Sequence, residues 1–296
     1  MVTRRVTLSV PYLAASLVVL ALTTLASAVG LFAPVIYRDA APLLPQLYGQ
    51  DLVTLVVAVP ALAVTTHLAA RGSLRGYVGW LGVVGYLLYT YASYAVMTAF
   101  NELYLVYVAL FGLTLYAFVG GLVRLDAPAL RRAVDDRSTR PYVGFLLGTT
   151  ALVTLAWLSD VVPAVLAGTV PAAIAGTDLP APVIQSLDLA VLLPAFVLTA
   201  YWLRREEPWG YALAGVLLVK IATLGLAVVA MGLFSLRAGE AVPTPLLVVF
   251  GLVSLLALVL MGRFLRSIRP AGATGVPDRR PSRTTPGEPV EADRTR

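Results

Sequence analysis

PYLAASLVVLALTTLA at residues 11–26 returns 130 residues further on as PYVGFLLGTTALVTLA at residues 141–156, with half of the aligned positions identical. For an apolar chain of this kind chance supplies roughly one match in ten, so the agreement points to an internal repeat. Working outward, a slide of 134 lays Pro60-Ala61 on Pro194-Ala195, Thr65 on Thr199, Arg71 on Arg205 and Gly76-Tyr77 on Gly210-Tyr211. The same slide lays MTAF at 97–100 on MGLF at 231–234, and a slide of 139 brings FGL at 111–113 onto FGL at 250–252 and Arg124 onto Arg263. Pro, Arg, Tyr and Met are rarer than Leu, so their agreement carries the greater weight.

Each copy is apolar to a degree that only a bilayer tolerates. Hydrophobic residues make up 59% of the 296-residue chain and charged ones 13%, whereas a soluble surface takes about a quarter charged residues. The apolar runs are continuous rather than alternating, so they read as helices crossing roughly 30 Å of hydrocarbon and not as barrel strands. Eight spans are expected, at 8–32, 51–69, 77–97, 103–123, 142–166, 185–203, 210–234 and 244–264. The fold class is therefore all-α, a polytopic membrane protein of two four-helix repeats, 1–133 and 134–267, followed by a tail at 268–296. Four spans per copy is an even number, so both copies enter the membrane in the same sense. That gives parallel repeats about a pseudo-two-fold axis along the membrane normal, with a cavity expected between the halves.

Arginine placement sets the orientation. Arg4 and Arg5, Arg71 and Arg75, Arg124 through Arg140, Arg204 and Arg205, and the tail from Arg263 fall on one side, against Arg38 and Arg237 on the other. The positive-inside rule then puts both termini in the cytoplasm of a multi-pass cell-membrane protein. The net charge of +6 reflects this topology and attraction to anionic headgroups, and calls for no nucleic-acid partner. Arg4-Arg5 with Ala26-Ser27-Ala28 imitates a signal peptide, but the apolar stretch is too long for one, and a retained first helix is expected. The link RLDAPALRRAVDDRSTR at 124–140 reads as a short surface helix, and the Pro-, Arg- and Thr-rich sequence beyond Ser267 as a disordered cytoplasmic tail.

Ionisable groups inside the apolar runs are the candidate site. Lys220, the single lysine, falls near mid-membrane in the seventh span, and Asp188 in the sixth lies within reach. Lys220 corresponds to Tyr86 in the first copy. Two readings follow: a cavity-lining pair that binds an anionic or proton-coupled solute, or an ion pair that fixes helix packing. Asp51, Glu102 and Asp160 sit at expected helix ends on the outer side, where water or a capping role accounts for them. Taken with Asp188 they would form an acidic vestibule. Tyr86 and Tyr89 are deep enough to line a polar path, and Pro60 and Pro194 are expected to kink the second and sixth spans.

With no Cys and His67 as the sole histidine, bis-histidine haem, zinc-protease chemistry and histidine-based triads lack their ligands and bases. No phosphate loop or dinucleotide fingerprint occurs. No cofactor, metal or catalytic residue is expected, and no enzymatic activity. The expected function is a secondary transporter or channel-like protein for a small solute or ion, with the bilayer as its medium. The alternative is a non-catalytic membrane module (sensor, assembly factor or subunit) that works with a membrane-protein partner or as a homo-oligomer.

Overall fold

The computed structural model describes residues 7–135, 138–240, 242 and 244–269. Among these residues the structure is all-helical, and its single piece of β structure is an isolated antiparallel bridge between Val134 and Ile268. In chain order the helices are α1 (Val10–Phe32), α2 (Leu44–Ala70), α3 (Leu74–Met97), α4 (Tyr104–Arg124), α5 (Ala127–Ala133), α6 (Arg140–Ala167), α7 (Val183–Arg204), α8 (Pro208–Arg237) and α9 (Thr244–Ser267). Seven are long and apolar enough to cross a membrane: α1, α2, α4, α6, α7, α8 and α9. The chain is thus an all-α, multi-pass protein of membrane type.

The expected third span is the exception. Helix α3 is 24 residues long but rich in Gly and Tyr, and from Gly76 to Val84 every residue is buried. Protein surrounds it instead of lipid, so its composition answers to packing rather than to hydrocarbon. The second span also differs from expectation. Helix α2 begins at Leu44, not Asp51, because the polar residues of its first turns are buried against protein and need no water.

Helices α2 and α7 share an unusual interior. Each contains a π-helical turn, Thr54–Ala58 in one and Asp188–Leu192 in the other, closed by bonds from Val59 to Thr54 and from Leu193 to Asp188. Pro60 and Pro194 follow directly. A proline offers no N–H and its ring crowds the carbonyl one turn earlier, and the wider turn relieves both problems without breaking the helix.

The two helices end alike as well. Gly72 (φ 80°) and Glu206 (φ 56°) both adopt left-handed backbone. Ser73 N–H then bonds Leu68 O at 3.0 Å, and Glu207 N–H bonds Trp202 O at 3.0 Å. This is the six-to-one bond of a Schellman cap. The chain turns so tightly that Gly76 and Gly210 must lack side chains: a Cβ on Gly76 would lie 2.7 Å from Ala69 N, and one on Gly210 would strike the Leu203 and Trp202 backbone.

Helices α3 and α8 meet at the centre of the molecule, Gly82 against Val216 and Val219. Around them α1 packs on α2 and α4, and α6 packs on α7 and α9. The crossings between the two sets are unequal. Helix α8 runs along α2, where Gly49 leaves only enough room for the Met231 backbone, whereas α3 meets α7 over a short stretch. Pro180, Pro182 and Asp178, whose φ is 56°, hold the segment before α7 out of helix, so α7 starts later than α2 does.

The arginine-rich end is tied across the chain. The link between α4 and α6 does form a helix, α5, with Asp126 accepting the Ala129 N–H at 2.8 Å and Leu130 fully buried. Arg131 stacks 4.3 Å from the Tyr211 ring and pairs with Glu206 at 3.0 Å. Arg75 donates to the carbonyls of Ile268 and Arg266. Ile268 and Arg269 therefore belong to the folded body rather than the tail, since Ile268 is buried and Arg269 N–H bonds Ala133 O at 2.8 Å. The remaining expected tail, 270–296, lies outside the described residues.

Candidate functional site

Four helices converge on the deep polar centre. Asp188 opens the π turn of α7, about 24 Å along the helix from Arg204, and Lys220 lies about 18 Å along α8 from Pro208 at 1.5 Å per residue. Helix α3 contributes Tyr89 and α6 contributes Trp157. Tyr89 donates its hydroxyl to Asp188 Oδ1 at 2.7 Å, and Trp157 donates Nε1–H to Asp188 Oδ2 at 2.9 Å. The Lys220 Nζ rests 3.9 Å from the centre of the Tyr89 ring. Lys220 is 4% exposed and Asp188 6%.

The sequence therefore brings Lys220 and Asp188 to one place but misjudges how they interact. They form no ion pair among the described residues. The faces of one tyrosine separate them: its hydroxyl occupies the carboxylate and its ring lies against the amine. Each Asp188 oxygen holds a neutral donor, while the Lys220 amine has no hydrogen-bond partner. An ammonium carries three donors. Cation–π attraction offsets part of its desolvation, worth about 2 kcal/mol in a dry setting, and leaves those donors unmet.

The repeat-equivalent positions give a different result. Thr54 and Tyr86 correspond to Asp188 and Lys220. Here Tyr86 Oη receives a bond from Gln50 Nε2 at 2.7 Å and lies 2.8 Å from Thr54 Oγ1, and Gln50 also donates to Thr90 Oγ1 at 3.1 Å. This network is neutral, closed and fully buried. Tyr86 consequently belongs to the packing of the first half and does not join Lys220, contrary to the sequence reading. The positions matching Gln50 and Thr90 are Ile184 and Leu224, which carry no polar side-chain atom.

The other acids are dispersed, and no outer vestibule of acids forms. Asp51 is 2% exposed inside α2, not hydrated at a helix end, and it accepts the hydroxyls of Tyr37 and, at 3.2 Å, of Tyr94. Glu102 is exposed and pairs with Arg38. Asp160 accepts the N–H groups of Ala172 and Ala173 at 2.8 and 3.2 Å, so it orders the connection between α6 and α7. Asp39, between α1 and α2, accepts the Ala99 N–H at 2.9 Å, and burial raises its carboxyl above the ordinary range. No group of three metal-ligating side chains occurs among the described residues. His67 is exposed near the end of α2.

Sequence reading missed Trp157 and Thr54. The available signal for Trp157 was its indole N–H, which needs an acceptor when buried in an apolar helix. A groove of about 540 Å³ between α6 and α7 is lined by Thr150, Thr154, Pro194, Val197 and Tyr201 among others, and includes neither Lys220 nor Asp188. Compared with protein-family models, with curated proteins and with solved structures, the chain gives no match in any of the three.

Proposed function

We propose that this chain is an eight-span membrane protein of two parallel four-helix repeats that carries a small solute or ion along the seam between them. In this reading α3 is the eighth span, both termini lie in the cytoplasm of the cell membrane, and Lys220 with Asp188 forms the coupling site. The repeat is supported by matched geometry. Helices α2 and α7 place their π turns 134 residues apart, and α3 and α8 start 134 residues apart. Arg124 over the Tyr12 ring at 4.5 Å has its counterpart in Arg263 over Tyr142 at 5.8 Å.

One observation carries the transport reading: a lysine amine buried at mid-helix with none of its donors satisfied. A purely structural pair would close on itself, as the equivalent network in the first half does. An uncompensated charge at this depth costs about 2.5–3.5 kcal/mol on insertion scales, and such charges mark solute paths. The test is solute-driven flux in proteoliposomes. Wild-type protein should catalyse solute-specific flux, and Lys220→Met should abolish it while still inserting and running as a monodisperse species. Flux unaltered by Lys220→Met removes the site from the mechanism; absence of flux for every solute and ion tested removes transport.

A further inference from the structure

Resting on that reading, we propose that Lys220 is the binding position of a small monovalent anion, and that Tyr89 keeps the amine from neutralising itself on Asp188. The donor set selects the charge. Three unmet N–H groups on one buried amine call for acceptor atoms, and a negative charge compensates the ammonium that burial strips of water. A cation finds no equivalent: both Asp188 oxygens already hold donors, from Tyr89 and Trp157, and the ammonium repels it.

Valence and size follow from the surroundings. Lys220 is the one ammonium offered, and Asp188 nearby contributes a charge of the wrong sign, so a divalent anion would remain uncompensated. At 4% exposure the amine sits in close packing, which suits an anion of the size of chloride, nitrate or formate and not a bulky one. Tyr89 decides availability. Its hydroxyl pins the carboxylate at 2.7 Å while its ring supports the amine at 3.9 Å. Without that hydroxyl one oxygen is free to turn to Lys220, and the resulting pair would compete with an added anion.

The experiment is thermal unfolding of the purified full chain at constant ionic strength, with chloride, nitrate or formate replacing gluconate. The expected result is a rise in Tm with the small anions that Lys220→Met lacks. Tyr89→Phe should weaken the apparent affinity by about tenfold or more, the scale of a charge-assisted hydrogen bond, and Asp188→Asn should strengthen it. Equal anion shifts in wild type and Lys220→Met, or no shift in wild type with Lys220→Arg equally silent, overturn the proposal. Its failure is separable from that of transport. An anion shift dependent on Lys220 without flux leaves the binding site and removes transport. Lys220-dependent flux of a cation or neutral solute, without an anion shift, does the reverse.

Discussion

The two halves of this molecule solve one backbone problem identically and then fill it with opposite chemistry. Both carry a π turn before a proline, a left-handed cap and a glycine at the next crossing. At the positions where the π turn faces the central helix, the first half places Thr54 and Tyr86 with Gln50 and Thr90, each donor meeting an acceptor. The second half places Asp188 and Lys220 there and separates them with a ring from the first half. The scaffold tolerates both, so the polar content of the centre is set by side chains and not by the course of the helices. A closed neutral network stabilises; a split charge pair costs stability and leaves binding capacity.

The largest effect expected of that contrast comes from Tyr86→Lys. It breaks a closed network and buries an ammonium with no counter-charge, for a loss of about 3–5 kcal/mol, measured by thermal or denaturant unfolding in detergent. Adding Thr54→Asp should recover part of it. Wild-type stability in Tyr86→Lys alone would mean that the first half is not closed at all.

Next come the crossings that the halves have in common. Gly76→Ala and Gly210→Ala should each cost about 1–3 kcal/mol, because the added methyl meets backbone that cannot yield. Matched losses sharpen the repeat; a large loss at one and none at the other breaks it. Lys220→Met should act with the opposite sign and raise stability by about 1–2 kcal/mol, the relief of an unsatisfied buried charge less the lost cation–π contact. A fall in Tm instead would mark Lys220 as a structural partner. The smallest effect belongs to the exposed Arg38–Glu102 pair, where Arg38→Ala should change stability by less than about 1 kcal/mol and the effect should fade with added salt.

Much of the helical layout was legible because hydrophobic runs and prolines act locally. Expected ends at Phe32, Ala69, Met97 and Leu203 fall within a residue or two of the observed ones. The errors share one cause. Asp51 was read as a boundary because hydropathy drops there, yet Gln50 and Asp51 sit inside a helix whose polar groups find Tyr37, Tyr86, Thr90 and Tyr94. Depth in the membrane and distance from water are different quantities once protein neighbours supply the donors. The acidic vestibule failed for the same reason: Glu102 and Asp160 each met a partner within a few ångströms.

What the sequence determined alone is a bundle of lipid-compatible helices, a duplicated order of elements and an arginine-rich end, since these depend on composition and on spacing along the chain. Which polar groups touch was decided only by tertiary structure. Tyr89 lies 99 positions from Asp188 and on a different helix from both it and Lys220. Whether it bridges or separates them depends on helix rotation and on distances of about 3 Å, which no periodicity along one strand of sequence encodes.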